Sequence, residues 1–266
     1  MPEGDTVWRT ARTLQAALVG KAVLAFDSSL PAVAAAGRRL AVVGQSLEAV
    51  EAHGKHLLVR FSGGAILHTH QGMRGRWSLH REAAGAPASA RTVIETADVV
   101  AVCSQAPVVE LLSASQAAVH PALARLGPDL LRPDFDPAVA RRRLRSRGYE
   151  PIGVALVDQT ALAGIGNVYK SEILFLCGVS PSARVEELDD ETLGRLVATA
   201  VGLLRRNLGP GPRRTASVLG PARHWVYRRS GQPCRKCGTA IARAVQGEQA
   251  RSTYFCPSCQ GSSRRR

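Results

Sequence analysis

The chain has 266 residues, 45% of them hydrophobic, and carries 35 Lys and Arg against 21 Asp and Glu, a formal net charge of +14. This composition excludes a disordered basic tail and a collagen-like or low-complexity polymer, and no apolar run approaches the roughly 18 residues of a membrane span. The opening Met1-Pro2-Glu3-Gly4-Asp5 is acidic where a signal peptide is basic and then apolar, so an intracellular protein with polyanionic partners is expected.

The elements are read in chain order. Asp5 or Thr6 is expected to cap a first helix in which Val7, Ala11, Leu14 and Leu18 recur at helical spacing, with Gly20 as its stop. Alternation then predicts strands at Ala22–Phe26, Leu40–Val43, Leu47–Glu51, His56–Phe61, Ala65–His70 and Arg76–His80, with turns at Gly54-Lys55 and Gly63-Gly64. Glu82–Ala90 reads as a loop, and Val93–Val102 and Val108–Leu112 as further short strands. Together these predict a β-sandwich behind a leading helix over residues 1–126.

A composition change at Leu126-Gly127-Pro128-Asp129 marks a boundary, beyond which the pattern is helical. Asp136-Pro137 is a cap followed by a first-turn proline, Pro151 opens another helix, and Asn167–Leu176 forms a third after a Gly-rich turn. A long helix follows Asp189, and residues 209–222, rich in Gly, Pro and Arg, read as a linker that closes a module spanning 127–222.

Charge and cysteine concentrate in the remainder. Residues 223–266 hold 10 basic side chains against the single Glu248, a net of +9, whereas 1–126 carry 12 against 9 and 127–222 carry 13 against 11. Cys234-x-x-Cys237 and Cys256-x-x-Cys259, separated by eighteen residues, have the spacing of a four-cysteine ribbon around one Zn2+. Four thiolates leave no open coordination position, so the ion is structural. Cys103 and Cys177 sit among apolar neighbours and are expected in the core.

Pro2 follows the initiator methionine, and removal of Met1 would expose a secondary amine. An α-amino group has a reference pKa of about 7.7–8.0 against about 10.4 for lysine, so roughly a tenth is neutral at pH 7. The partial positive charge of the helix that follows disfavours the ammonium form further. Such an amine can attack an aldehyde-level sugar carbon to give an iminium electron sink, with Glu3 as a neighbouring proton shuttle.

Pro2-Glu3-Gly4, Gly54-Lys55-His56, Leu162-Ala163-Gly164-Ile165-Gly166-Asn167-Val168-Tyr169 and the cysteine ribbon occur in that order, and together resemble the formamidopyrimidine-DNA glycosylase and endonuclease VIII family over essentially the whole chain. The resemblance implies an α+β multidomain fold: an N-terminal β-sandwich, a helix–two-turn–helix domain and a C-terminal zinc-ribbon β-hairpin, with damaged DNA held between the halves. It implies base-excision repair by a bifunctional glycosylase and abasic-site lyase. Pro2 would form the Schiff base with C1′, Glu3 would manage protons, and Lys55 would reach the phosphate and assist elimination. Gly164-Ile165-Gly166-Asn167 offers backbone N–H groups at a helix start suited to a phosphate oxygen, and the family uses the Asn167 side chain there too. Arg251, at the ribbon hairpin, would grip the phosphates around the lesion and serve the δ-elimination. His70-Gln71-Gly72-Met73-Arg74-Gly75 resembles the segment that fills the gap left by a flipped base, with Met73 as the plug.

Two departures refine this. No Arg-Arg-Phe triplet stands between Arg91 and Ala124, and Thr6 occupies a position where the family usually has glutamate. With the start Pro2-Glu3-Gly4-Asp5-Thr6, these favour an actinobacterial-type endonuclease VIII acting on oxidised pyrimidines, tolerant of single-stranded or bubble DNA. A monomer in the bacterial cytoplasm, associated with the nucleoid, is expected. The alternatives are a lyase with weak base excision and a DNA-binding zinc-ribbon scaffold without chemistry, against which Pro2, Glu3 and Lys55 argue.

Overall fold

The structure, a computed structural model, describes residues 2–81, 87–217 and 222–261. Met1, most of the expected 82–90 loop and the Arg264–Arg266 tail lie outside the described residues. The chain folds as two compact units, Met1–Arg125 and Leu126–Arg266.

The first unit opens with α1 (Gly4–Leu18), which buries the predicted stripe of Val7, Ala11, Leu14 and Leu18. Its cap is Glu3 rather than Asp5 or Thr6. The extended Glu3 backbone presents its carbonyl to the N–H groups of Thr6 and Val7 at 2.9 and 3.0 Å, and Asp5 falls inside the first turn, where a carboxylate complements the helix dipole. There follow β1 (Ala25–Ser28), α2 (Pro31–Arg39), β2 (Leu47–His53), β3 (His56–Phe61), β4 (Ile66–His70), β5 (Arg76–His80), β6 (Ala90–Glu95), β7 (Val100–Ser104), β8 (Val108–Leu112), α3 (Ala114–Ala118) and α4 (Pro121–Ala124). Two antiparallel four-stranded sheets, ordered β1-β6-β7-β5 and β2-β3-β4-β8, enclose a core containing Leu47, Leu57, Val59, Phe61, Leu67, Ile94 and Leu111. Each such side chain contributes about 1.5–3 kcal/mol by its removal from water.

Three expectations shift. Leu40–Val43 is not a strand: Pro31 starts the alanine-rich α2, and Ala41 turns the chain out of it at φ 47°. Val93–Val102 is two strands, because Thr96 and Val99 close a turn in which the Thr96 N–H donates to the Val99 carbonyl at 2.9 Å. Ala22 makes only an isolated bridge to Ser46, and the first strand begins at Ala25.

The second unit contains α5 (Pro137–Arg145), α6 (Ile152–Ala155), α7 (Asn167–Cys177), α8 (Asp190–Arg206), β9 (Ala242–Gln246) and β10 (Arg251–Phe255). Asp136 caps α5, accepting the Ala138 N–H at 2.7 Å, and Asp189 caps α8 through Thr192 at the same distance. α8 buries Leu193, Leu196, Val197, Ala200, Leu203 and Leu204 along one stripe. α7 is buried from Val168 to Phe175 because it packs against both α8 and β10. β9 and β10 pair antiparallel, Arg251 opposite Gln246, as the ribbon hairpin.

Candidate active site and metal centre

In the first unit, Pro2 is half-buried and Glu3 has no exposed surface. The Glu3 side chain makes no cap hydrogen bond, so its carboxylate is held inside at the start of α1 rather than against the helix N–H groups. Thr6 presents a neutral hydroxyl, which donates to Asp5 Oδ1 at 3.3 Å. Lys55 occupies the second position of the two-residue turn between β2 and β3, whose flanks His53 and His56 are register partners. Gly54 supplies the positive φ (58°) at the first position, as a tight hairpin of the II′ kind requires. Met73 lies in the turn between β4 and β5 and is 77% exposed, so it is no core methionine. Gly72 makes that turn possible: its φ is 59°, and a Cβ there would lie 2.7 Å from the Pro107 ring.

In the second unit, Gly166 caps α7 in an extended conformation and Asn167 begins the helix. Of the expected phosphate nest, the Gly164 N–H is already engaged, donating to Gln159 Oε1 at 3.0 Å. The same glutamine donates to the Ile165 carbonyl at 3.0 Å, fixing the loop ahead of the helix. Asn167 Oδ1 is buried with no protein partner. Arg251 opens β10 and is oriented by Gln249 Oε1, which accepts its Nε–H at 2.9 Å. Arg251 lines a cavity of about 590 Å³ together with Lys170, Asp158, Gln159 and Gln246.

The four ribbon cysteines converge. Cys234 and Cys259 Sγ lie 3.9 Å apart, Cys237 and Cys256 3.4 Å, and Cys237 and Cys259 3.5 Å. Four sulfurs about 2.3 Å from a tetrahedral zinc stand about 3.8 Å from one another, so this donor set fits one closed structural Zn2+. The backbone N–H groups of Lys236 and Cys259 point at Cys234 and Cys256 Sγ, each at 3.4 Å, as the two knuckles require. Cys237 Sγ also lies 3.4 Å from the Thr239 hydroxyl. The other two cysteines are structural: Cys103 is fully buried, and burial pushes its thiol up to about 12.

Three features escaped the sequence reading. Lys170, fully buried on α7, lines the same cavity as Arg251. Glu172, about one and a half turns from the start of α7, is a buried carboxylate that gathers N–H groups from Trp225, Val226 and Tyr227. His56, His68, His120 and Glu110 form a hydrogen-bonded cluster on the outer face of the second sheet. The cluster had one sequence signal, histidines at alternate positions 68 and 70 of one strand; Glu172 had none.

The chain matches three family sequence models: the formamidopyrimidine-DNA glycosylase N-terminal domain over residues 1–106, the formamidopyrimidine-DNA glycosylase H2TH domain over 126–216, and the zinc finger found in FPG and IleRS over 231–261. It is 41% identical to the probable endonuclease 8 2 of Streptomyces coelicolor, covering 98% of this chain and 94% of that protein. It is also 41% identical to the DNA-(apurinic or apyrimidinic site) lyase Nei2 of Mycolicibacterium smegmatis, covering 99% of this chain and all of that one. Endonuclease 8 of Escherichia coli is 32% identical over 98% of this chain. The Lactococcus lactis FPG bound to a Fapy-dG containing DNA superposes with a TM-score of 0.83 at 24% identity over 98% of this chain, a likeness of fold.

Proposed function

The chain belongs to the formamidopyrimidine-DNA glycosylase and endonuclease VIII family, and on that premise we propose that it is a base-excision repair glycosylase and abasic-site lyase whose nucleophile is the Pro2 amine. The observation that carries this reading is the intact Pro2-Glu3 pair at the threshold of α1, with Glu3 wholly buried, in a chain 41% identical to a named abasic-site lyase over its full length.

With Met1 removed, the Pro2 nitrogen attacks C1′ of the damaged nucleotide and the base departs with a proton, which Glu3 is placed to manage. The resulting iminium acidifies the C2′ hydrogen; its loss expels the 3′ phosphate in the β-elimination, and loss of a further proton expels the 5′ phosphate in the δ-elimination. Lys55, held at the tip of a rigid hairpin, and Arg251, held by Gln249, neutralise the phosphates at these steps. Asn167 and the Gly166 cap of α7 hold a backbone phosphate at the helix N-terminus. Met73, exposed at a turn that its glycines make tight, fills the space of the flipped nucleotide. The zinc, closed by Cys234, Cys237, Cys256 and Cys259, takes no part in the chemistry and fixes the ribbon that carries Arg251.

We propose further that the chain is a monomer of three modules (1–126, 127–222 and 223–266), works in the bacterial cytoplasm, and acts on oxidised pyrimidines in duplex, single-stranded or bubble DNA. The absence of an Arg-Arg-Phe triplet between Arg91 and Ala124 supports this substrate choice. Among the described residues no helix is long and apolar enough to cross a membrane.

Borohydride trapping on an oligonucleotide with an abasic site is the test. The mature protein should form a covalent adduct through its N-terminal residue, and Pro2→Gly should trap far less. Equal trapping by a form that keeps Met1 would exclude Pro2 as the nucleophile.

A further inference from the structure

The second sheet of the first unit has one face toward the core and one turned away. Leu57, Val59, Leu67, Val109 and Leu111 point to the core. The alternating positions His56, His68 and Glu110 therefore share the other face. His68 on β4 is the register partner of Glu110 on β8, so their side chains stand side by side on a rigid ladder. His120, the cap residue of α4, reaches the same point from the connection that follows β8.

The geometry is convergent. Glu110 Oε2 lies 2.8 Å from His68 Nδ1 and 3.1 Å from His120 Nε2. One donor atom from each of the three residues falls within 4.8 Å of the others. His120 Nδ1 is buried without a protein partner, so the ring is oriented by its Nε2, which faces Glu110. The Nε2 of His68 lies 2.8 Å from His56 Nδ1, the outer partner that an imidazole ligand requires to hold its ring and tautomer. His68 is 1% exposed, whereas the Glu110 side chain is 40% exposed and leaves a path from solvent.

We propose that His68, Glu110 and His120 form a second metal centre, which takes one divalent transition ion of the zinc class through two imidazole nitrogens and a carboxylate oxygen. Two histidines and a carboxylate are a donor set that suits such ions, and this one is chemically unlike the all-sulfur ribbon. Binding requires the lone pairs of His68 Nδ1 and His120 Nε2: the His68 ring proton is then carried on Nε2 and offered to His56 Nδ1, whose own proton sits on Nε2, and the His120 ring proton passes from Nε2 to Nδ1, so no proton is lost overall. The ion would tie β4, β8 and the start of α4 together, and it would do so one hydrogen bond from the residue that follows Lys55.

The test counts metal in the full-length protein. After dialysis against buffered zinc, elemental analysis should find two ions per chain in the wild type and one in His120→Ala and in Glu110→Ala. Cobalt(II) added to protein carrying only its ribbon zinc should give weak visible bands without thiolate charge-transfer absorption, and neither variant should give them. Circular dichroism establishes that both variants keep the fold. A wild type that holds one zinc and takes up no cobalt in large excess overturns the proposal and leaves a hydrogen-bonded cluster. Uptake that persists unchanged in both variants overturns it equally, since the second ion then lies elsewhere.

Discussion

The Glu172 carboxylate accepts the backbone N–H of Val226 at 2.9 Å across 54 residues of sequence, with both residues buried. The same carboxylate accepts N–H groups from Trp225 and Tyr227 at 2.8 Å each, and the Thr215 hydroxyl donates to it at 2.5 Å. A single side chain of α7 therefore satisfies three consecutive backbone donors of the segment that enters the ribbon. That makes α7 a double support, with Asn167 at its first residue and the approach to the zinc module anchored one and a half turns later.

Glu172→Gln tests this support. The amide keeps the shape but loses the charge and turns an NH2 toward N–H donors. Hydrogen bonds to a charged group contribute about 1.5–3 kcal/mol, so a loss on the order of 2–3 kcal/mol is expected. Thermal unfolding should show a lower midpoint, and amide exchange at Trp225, Val226 and Tyr227 should quicken ahead of the rest. An unchanged midpoint with unchanged exchange would mean the carboxylate is dispensable.

Glu3→Gln should separate the two activities. Departure of a base requires a proton at the right moment, whereas a preformed abasic aldehyde already accepts the Pro2 amine. Base excision should fall by roughly 10²–10⁴-fold, the usual contribution of a positioned acid or base, while cleavage of abasic DNA persists. Parallel loss of both activities, measured on a lesion duplex and an abasic duplex, would assign Glu3 to the fold or to both steps.

Much of this arrangement was legible in the sequence because it is local. The capping aspartates Asp136 and Asp189, the stripe of α8, the Gly54-Lys55 turn and the two cysteine knuckles each lie within a few residues of their partners. What was missed depends on distance or on competing local signals. Glu172 looks like an ordinary helical surface residue until Val226 is folded onto it. His68 and His120 meet only because β4 pairs with β8. Leu40–Val43 reads as a strand from its apolar residues, yet α2 takes the residues up to Arg39 and the positive φ of Ala41 turns the chain straight after it. Glu3 takes the cap position in place of Asp5 and Thr6 because the chain is extended up to Glu3 and turns helical from Gly4, so it is the Glu3 carbonyl that meets the Thr6 and Val7 N–H groups.

Cys103 should be inert in the folded protein. It is fully buried, and burial pushes its thiol up to about 12, so almost none is thiolate at pH 8. Alkylation mapped by mass spectrometry should leave Cys103 unmodified in native buffer and modify it fully in denaturant. Labelling in native buffer at the rate of a free thiol would mean that β7 opens locally.

Met73→Ala should separate stability from activity. The side chain is 77% exposed, so its loss should change stability by no more than about 0.5 kcal/mol. Filling the space of a flipped base matters only where there is a stack to fill. Excision from duplex DNA should therefore drop while excision from single-stranded DNA holds. Equal losses on both substrates would remove Met73 from this role.

Arg251→Ala is the sharpest test of how the basic ribbon is used. Net charge alone would make its arginines interchangeable, each adding diffuse attraction. Arg251 differs in being fixed at the first residue of β10, with Gln249 accepting its Nε–H, beside a cavity that also contains Lys170. Removing one cation from the phosphate backbone should reduce the salt slope of DNA binding by about one and weaken all sequences alike. If the same guanidinium stabilises the second departing phosphate, the variant should also accumulate the β-elimination product at the expense of the δ-product. Arg195, exposed on α8 and paired with Glu191 at 3.4 Å, is the control and should leave both readouts near wild type. A salt titration of affinity beside a gel of cleavage products decides the matter: if Arg251→Ala and Arg195→Ala behave alike in both, Arg251 belongs to a solvated basic surface and the δ-elimination depends on another residue.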